Sequence, residues 1–303
     1  MNTREWQQWG QVAKKINDKL KLHRFWNLTG GISAQVTALE LLEENGTMER
    51  VVARLHGEAD RLRNPHIARH EFQLLRMLHE HGLPVPAPVL LDETGHLFPQ
   101  PYLVTAFSEG RVELSPSDSL NFAKRMAAGL AAVHRIPYPN EEINFLPSKG
   151  TEIANKLAGP PEKIDESLNE DLIRQALGTS DWLLLSPNSV GLLHGDYWPG
   201  NLLWENGELS AILDWEDAAV GDPVSDVGNA RLEVLWAYGE EAMDAFTQEY
   251  ARQMPSVSLD QLPYWDLCAA LRPASQLSNW GLAPEIEARM RGLHRRFVER
   301  ALG

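Results

Sequence analysis

Leu192-Leu193-His194-Gly195-Asp196-Tyr197-Trp198-Pro199-Gly200-Asn201, resumed at Asp214-Trp215-Glu216, is the stretch on which the reading of this 303-residue chain turns. Leu202-Leu203-Trp204 and Leu209-Ser210-Ala211-Ile212-Leu213 read as short apolar strands, joined by Glu205-Asn206-Gly207-Glu208. An Asn-Gly pair supplies the positive φ of a tight hairpin turn. Folding about that turn brings Asn201 and Asp214 to the same open end. Asp196, five residues before Asn201, lies on the loop that feeds it.

These side chains suit one kind of chemistry. A carboxylate and an amide oxygen match Mg2+, a hard cation that takes oxygen ligands and completes its shell with phosphate and water. A further carboxylate can orient a hydroxyl and accept its proton. Kinases divide the labour in this way: H-R-D-x-x-x-x-N supplies base and metal ligand, and a later Asp supplies the other ligand. His194-x-Asp196-x-x-x-x-Asn201 fits that frame, with Gly195 in the place of the Arg. The competing reading is an acidic loop closed by a structural turn; the complete spacing together with the hairpin favours the chemical one.

The segment from Gly191 to Gly228 resembles the aminoglycoside phosphotransferase and choline kinase-like family of small-molecule kinases. The family pattern runs L-x-H-G-D-x-x-x-x-N-x-L, then I-x-D-[WF]-[ED], then D-P-x-x-D. Here it is met by Leu192 to Asp196, Asn201-Leu202-Leu203, Ile212 to Glu216 and Asp222-Pro223-Val224-Ser225-Asp226. The resemblance implies an α+β, protein-kinase-like two-lobed fold. A small antiparallel-sheet N-lobe would occupy residues 1–107, and a larger, mainly helical C-lobe residues 108–303. It implies Asp196 as catalytic base, Asn201 and Asp214 as Mg2+ ligands, and His194 and Asp226 as supports of the catalytic loop, with Asp226 also suited to cap a helix.

Composition narrows the class. Hydrophobic residues make up 43% and charged residues 23%, ordinary for a globular chain. The single cysteine, Cys268, excludes an internal disulfide framework and a Cys-cluster metal site. No apolar run approaches the roughly 20 residues that span a bilayer, and Met1 to Trp6 carries no apolar signal core. The expectation is a cytoplasmic protein with no membrane partner. Acids outnumber bases 42 to 28, a net −14. That argues against nucleic acid as a partner and is compatible with a cationic acceptor; solubility charge explains it equally well.

Working back toward the N-terminus, Trp6, Trp9, Val12, Ala13 and Ile16 recur at helical spacing. Leu22 to Leu28, Ala34 to Leu42 and Glu49 to Leu55 read as strands, with Thr29-Gly30-Gly31-Ile32-Ser33 and Asn45-Gly46 between them. Glycines let backbone N–H groups approach phosphate oxygens, so Gly30, Gly31 and Ser33 are nucleotide-binding candidates. A Gly-Gly pair is by itself more often only a turn. Counting about Asn45-Gly46 sets Arg54 near Thr37, leaning toward the glycine loop. Arg54 stands where the resemblance expects a phosphate-gripping lysine, and guanidinium can hold two oxygens. An amphipathic helix from Ile67 to His79, closed at Gly82, presents Glu71 as the carboxylate to pair with Arg54.

Beyond the hairpin of Val89-Leu90-Leu91 and Tyr102 to Phe107, a buried helix covers Ser117 to His134, with Leu120, Phe122, Met126, Leu130 and Val133 inward. Residues 140–190 read as charged helical fragments of undecided role, and residues 239–301 as three helices. Trp265, Trp280 and Tyr264 favour core over pocket.

The function implied is phosphotransfer from ATP, with GTP left open, to the hydroxyl of a small molecule such as an aminoglycoside, macrolide, choline- or homoserine-like acceptor. The alternative is a nucleotide-binding pseudokinase with a regulatory role. Trp215-Glu216 stands in place of Phe-Gly, and Gly221 comes only seven positions after Asp214, which leaves little room for an activation loop.

Overall fold

The computed structural model describes residues 3–28, 34–137, 139, 141–178, 182–184 and 186–303. Gly30, Gly31 and Ser33, the expected phosphate loop, lie outside the described residues. The chain divides into two compact units, Met1–Glu109 with Ser210–Glu216, and Gly110–Leu209 with Asp217–Gly303. The expected boundary after Phe107 is thus joined by a second crossing: residues 210–216 return to the first unit.

In the first unit α1 (Thr3–Ile16) precedes β1 (Lys21–Asn27), β2 (Ala34–Leu42) and β3 (Met48–His56). Two helices follow, α2 (Glu58–Arg63) and α3 (Ile67–Glu80), then β4 (Pro88–Asp92) and β5 (Tyr102–Ala106). The strands form one antiparallel sheet in the order β1-β2-β3-β5-β4. Trp9, Val12 and Ala13 of α1 enter a core with Leu39, Leu41, Val51, Ala53, Leu55 and Tyr102. Each such aliphatic side chain, fully buried, contributes about 1.5–3 kcal/mol. Strand alternation then leaves Arg54 and His56 on the opposite face of β3.

The β2–β3 turn fixes the register. Gly46 takes φ +89°, and Glu43 N–H donates to Thr47 O at 2.9 Å, closing a loop longer than a two-residue turn. Leu42 pairs with Met48, so Arg54 faces Val36, next to Thr37 as counted. Helix α3 ends as its sequence predicts: Gly82 adopts φ +77°, and Leu83 N–H donates to Leu78 O while Gly82 N–H donates to His79 O. That pair of bonds is a Schellman closure.

The second unit holds α4 (Ser119–His134), α5 (Lys149–Ala158), α6 (Glu170–Gly178), β6 (Gly191–Leu193) and β7 (Leu202–Glu205). After β8 (Glu208–Ile212) come β9 (Ala219–Gly221), α7 (Val224–Tyr238), α8 (Glu240–Gln253), α9 (Leu262–Ala270) and α10 (Pro284–Leu302). β7 and β8 form a hairpin with Asn206 at φ +52° and Gly207 at φ +80°, the type I′ turn an Asn-Gly pair favours. β6 pairs antiparallel with β9, Leu193 opposite Ala219. Helix α7 is buried along nearly its whole length, with the polar side chains of Ser225, Asp226, Asn229 and Arg231 among the buried ones.

Three expectations need correction here. Leu120, expected inward on α4, is 40% exposed because it sits in the first turn, ahead of the packed stripe that begins at Ala123. Asp226 is inside the first turn of α7 and does not cap it; Asp222 does, its Oδ1 accepting Val224 N–H at 2.9 Å. Trp265 is core, whereas Trp280 is 44% exposed. Cys268 is buried in α9, and burial pushes its thiol up to about 12. Among the described residues no helix is long and apolar enough to cross a membrane.

Candidate active site

The sequence-predicted residues fall into two clusters, one in each unit. In the first, Asp214 sits at φ +63°, a left-handed backbone unusual for a non-glycine residue. Trp215 follows, 2% exposed, its Nε1–H donating to Ile212 O at 3.1 Å. Burying the indole between them directs the carboxylates on either side to one partner. Arg54 Nη2 donates to Asp214 Oδ1 at 2.7 Å and to Glu216 Oε2 at 2.5 Å. Glu71 from α3 comes within 3.6 Å of Arg54 Nε. The expected Arg54–Glu71 pairing is therefore present, and wider than expected.

Burial works against the charge of Arg54, but Glu71, Asp214 and Glu216 together outweigh it and hold the guanidinium firmly protonated. Burial likewise disfavours ionised Glu71, yet the Arg54 charge and His56 keep its carboxyl below the usual range. His56, whose Nε2 lies 2.9 Å from Glu71 Oε2, is a residue that sequence reasoning missed. Its signal was available: it shares a strand face with Arg54, two residues on.

The second cluster is the loop that follows β6. The wholly buried carboxylate of Asp226 accepts His194 N–H at 2.7 Å and Gly195 N–H at 3.0 Å. Gly195 takes φ +84°, and a Cβ there would come within 1.9 Å of Asp217 O, so only glycine fits. His194, fully buried, accepts Asp196 N–H on Nδ1 at 3.2 Å. The loop is thus tied on the inside, and Asp196 emerges at its outer bend with its side chain 28% exposed.

Two groups hold the Asp196 carboxylate. Asn201 Nδ2 donates to its Oδ2 at 3.1 Å and to its backbone O at 2.9 Å. Both bonds use the amide nitrogen, so the amide oxygen is the atom left for a cation. Arg272 Nη2 donates to Asp196 Oδ1 at 2.7 Å, while Nη1 donates to Gly195 O at 3.2 Å and to Asn229 Oδ1. Arg272, 76 residues from Asp196 in sequence, gave no local signal.

Asp226, Asn229 and Glu233 follow one face of α7 at i, i+3 and i+7 toward this loop. That spacing was legible, though Glu233 was not singled out. Burial pushes the Glu233 carboxyl up to about 7; Arg272 opposes the shift and Asp196 adds to it. A folded-state value above the unfolded one means that the folded protein holds the extra proton. This stability is complete below about 4.3 and is lost as pH rises through about 7. Thermal melts from pH 5 to 8 are expected to show Glu233→Gln gaining on the wild type as pH rises.

The profile of a family described as Phosphotransferase enzyme family matches residues 28–259. The chain is 23% identical over 230 residues to acyl-CoA dehydrogenase family member 11 of Pongo abelii, covering 66% of this chain and 29% of that protein. It is 29% identical over 77 residues to hygromycin-B 4-O-kinase of Escherichia coli, covering 25% of this chain and 22% of that one. The chain therefore spans less than a third of the length of these relatives.

Among solved structures, a thermostable mutant of aminoglycoside phosphotransferase APH(4)-Ia in ternary complex with ADP and hygromycin B superposes with TM-score 0.64 at 18% identity, covering 97% of this chain and 99% of that one. Amicoumacin kinase hAmiN, in complex with AMP-PNP, Ca2+ and Ami, gives 0.64 at 17%, covering 99% and 96%. Likeness at this identity shows the fold, which is the α+β, protein-kinase-like one expected from the sequence.

Proposed function

Because this chain belongs to the phosphotransferase enzyme family, we propose that it moves the γ-phosphate of ATP to a hydroxyl of a small molecule. The observation that carries this reading is the built environment of Asp196: a carboxylate at an outer bend, braced from inside by Asp226 and held by Asn201 and Arg272. A general base must stand in a fixed position within hydrogen-bond reach of the proton it takes. Arg272 keeps Asp196 in place and leaves its carboxylate partly exposed.

The donor set fits a hard divalent cation. Asn201 retains an amide oxygen, and Asp214 supplies a carboxylate from a strained backbone that aims it. When bound, Mg2+ neutralises charge on the phosphates. In this reading Arg54, steadied by Glu71, receives phosphate oxygens, which compete with Asp214 and Glu216 for the guanidinium. Gly30, Gly31 and Ser33 remain the proposed phosphate loop, and His194 and Asp226 remain supports. GTP is an open alternative donor. The bulk acid excess suits a cationic acceptor in the long-range field.

The pseudokinase reading keeps nucleotide binding without transfer. It gives no reason for a braced base, so the environment of Asp196 favours the enzyme. Release of ADP or GDP across a panel of hydroxylated small molecules separates them: acceptor-dependent release supports transfer, and tight nucleotide binding with no release on any acceptor supports the pseudokinase. Arg54→Lys keeps the charge but loses the forked geometry. It is expected to weaken ATP binding about tenfold, roughly 1.4 kcal/mol, read by calorimetric titration.

A further inference from the structure

One buried cluster in the first unit is made of acceptor atoms. His56 ends β3, Asp60 lies in α2, and Glu216 belongs to the segment that returns to this unit after β8. One ring nitrogen of His56, one carboxylate oxygen of Asp60 and one of Glu216 lie within 4.8 Å of one another. On the His56 ring it is Nδ1 that faces Glu216, 3.9 Å from Oε2, while Nε2 lies 2.9 Å from Glu71 Oε2. His56 is 1% exposed and Asp60 7%. Among the described residues neither His56 Nδ1 nor Asp60 Oδ2 has a hydrogen-bond partner, although buried polar atoms are nearly always satisfied.

The neighbours of the ring say which nitrogen is bare. Glu71, a carboxylate beside Arg54, can only accept, so the ring N–H belongs on Nε2 and the Nδ1 lone pair is left to the cluster. Metal-bound imidazoles are held in this way, with the second nitrogen donating to a carboxylate. A hydrogen placed on Nδ1 instead would face Glu216 Oε2 across 3.9 Å, beyond hydrogen-bond reach. Charge points the same way. Arg54 faces Glu71, Asp214 and Glu216, and Arg63 reaches Asp60 Oδ1 at 3.3 Å. Four carboxylates thus meet two guanidiniums, leaving two negative charges in excess, and still one with His56 protonated.

The bland account is a water molecule that donates to two of the three acceptors. It leaves the third acceptor without a donor and the negative excess in place. A divalent cation answers both.

We infer that His56 Nδ1, Asp60 and Glu216 form a binding site for Zn2+, through one nitrogen and two carboxylate oxygens, with water in the fourth position. Imidazole nitrogen suits zinc, whereas Mg2+ and Ca2+ take oxygen. Bonds of about 2.0–2.1 Å set tetrahedral ligand atoms roughly 3.3 Å apart. Atoms now within 4.8 Å of one another therefore draw in by about 1.5 Å or less, which side-chain rotation supplies. The set shares no residue with Asn201 and Asp214, the proposed Mg2+ ligands, and it stands whether or not the chain transfers phosphate. Its effect is on stability. The ion ties β3 and residue 216 to α2, a helix of six residues with no side-chain cap at its start, and binding to the folded state alone stabilises that state.

The test titrates the tag-free full chain, freed of metal with a chelator, with Zn2+ by calorimetry and with Co2+ by visible absorption, which reports low coordination. A single strong Zn2+ equivalent is expected, with a rise in Tm, and about a thousandfold excess of Mg2+ should not displace it. Asp60→Asn keeps the side-chain shape and the oxygen that takes Arg63. It is expected to weaken Zn2+ binding about a hundredfold and to abolish the rise in Tm. Without metal the same variant should melt no lower than the wild type, because its amide brings a donor into a set of acceptors. His56→Gln should weaken Zn2+ equally, and Asp60→Asn decides alone if His56→Gln does not fold. His66→Ala, which breaks the surface pair of His66 and His70 with ring centroids 5.8 Å apart, should leave binding unchanged. No binding by the wild type, equal affinity in Asp60→Asn, loss of binding in His66→Ala, or displacement by Mg2+ each overturn the site.

Discussion

Asp196→Asn is expected to lower kcat by about a thousandfold, close to 4 kcal/mol of transition-state stabilisation, while nucleotide affinity stays within about twofold. The substitution is nearly isosteric. Its side-chain oxygen can still accept from Arg272, and the backbone oxygen of residue 196 still accepts from Asn201 Nδ2 at 2.9 Å, so the loop keeps its form. Only the capacity to take a proton is removed. The discriminating measurement is steady-state ADP release on a reacting acceptor, beside calorimetric binding of AMP-PNP with Mg2+. A fall in kcat with nucleotide affinity intact isolates the proton-transfer role. A variant that turns over at the wild-type rate would remove Asp196 from the mechanism. Loss of nucleotide binding together with rate would instead assign it a structural part.

Asp226→Ala is expected to be the most destabilising single change in the second unit. Its carboxylate is 1% exposed and accepts three groups: His194 N–H, Gly195 N–H, and the His134 ring at 3.2 Å. The His134 ring bridges two neighbours, Nε2 lying 3.2 Å from the Asp226 carboxylate and Nδ1 2.7 Å from the Tyr250 hydroxyl. Alanine leaves two buried N–H groups and a ring nitrogen without acceptors. Breaking such a set costs about 3–5 kcal/mol, on the order of 10 °C in Tm for a chain of this size.

The same carboxylate sets an acid limit. Burial raises its pKa, but the bonds from His134, the His134 and His194 charges and the His194 N–H outweigh burial and hold it below the ordinary value. A depressed folded-state pKa contributes stability that is present above about 3.9 and lost as pH falls through the folded value. Acid melts should therefore show the wild type losing stability below about pH 4, with Asp226→Asn, already less stable, losing less over the same interval. Equal acid sensitivity in the two would place the acid limit elsewhere.

Local chemistry alone determined much of this protein. The Asn206-Gly207 turn follows from backbone sterics, as do the strand bounds of Ala34–Leu42 and the glycine closure of α3 at Gly82. Asp196, Asn201 and Asp214 were legible because their spacing lies within one loop and one hairpin. The pairing of Arg54 with Glu71 came from the family resemblance, which sets a strand cation against a helix carboxylate. The exact partner needed the turn geometry: the loop around Gly46 sets Arg54 opposite Val36, beside the Thr37 that counting gave as its neighbourhood. Tertiary structure decided everything that depends on distant segments. Arg272 reaches Asp196 across 76 residues. It carries no local mark, because a surface cation and a site cation look alike in sequence. Net charge was compatible with a cationic acceptor and, equally, with solubility alone. The charge that a reacting group feels is set within a few ångströms, since solvent screens the remainder, and only the fold selects which charges stand that close.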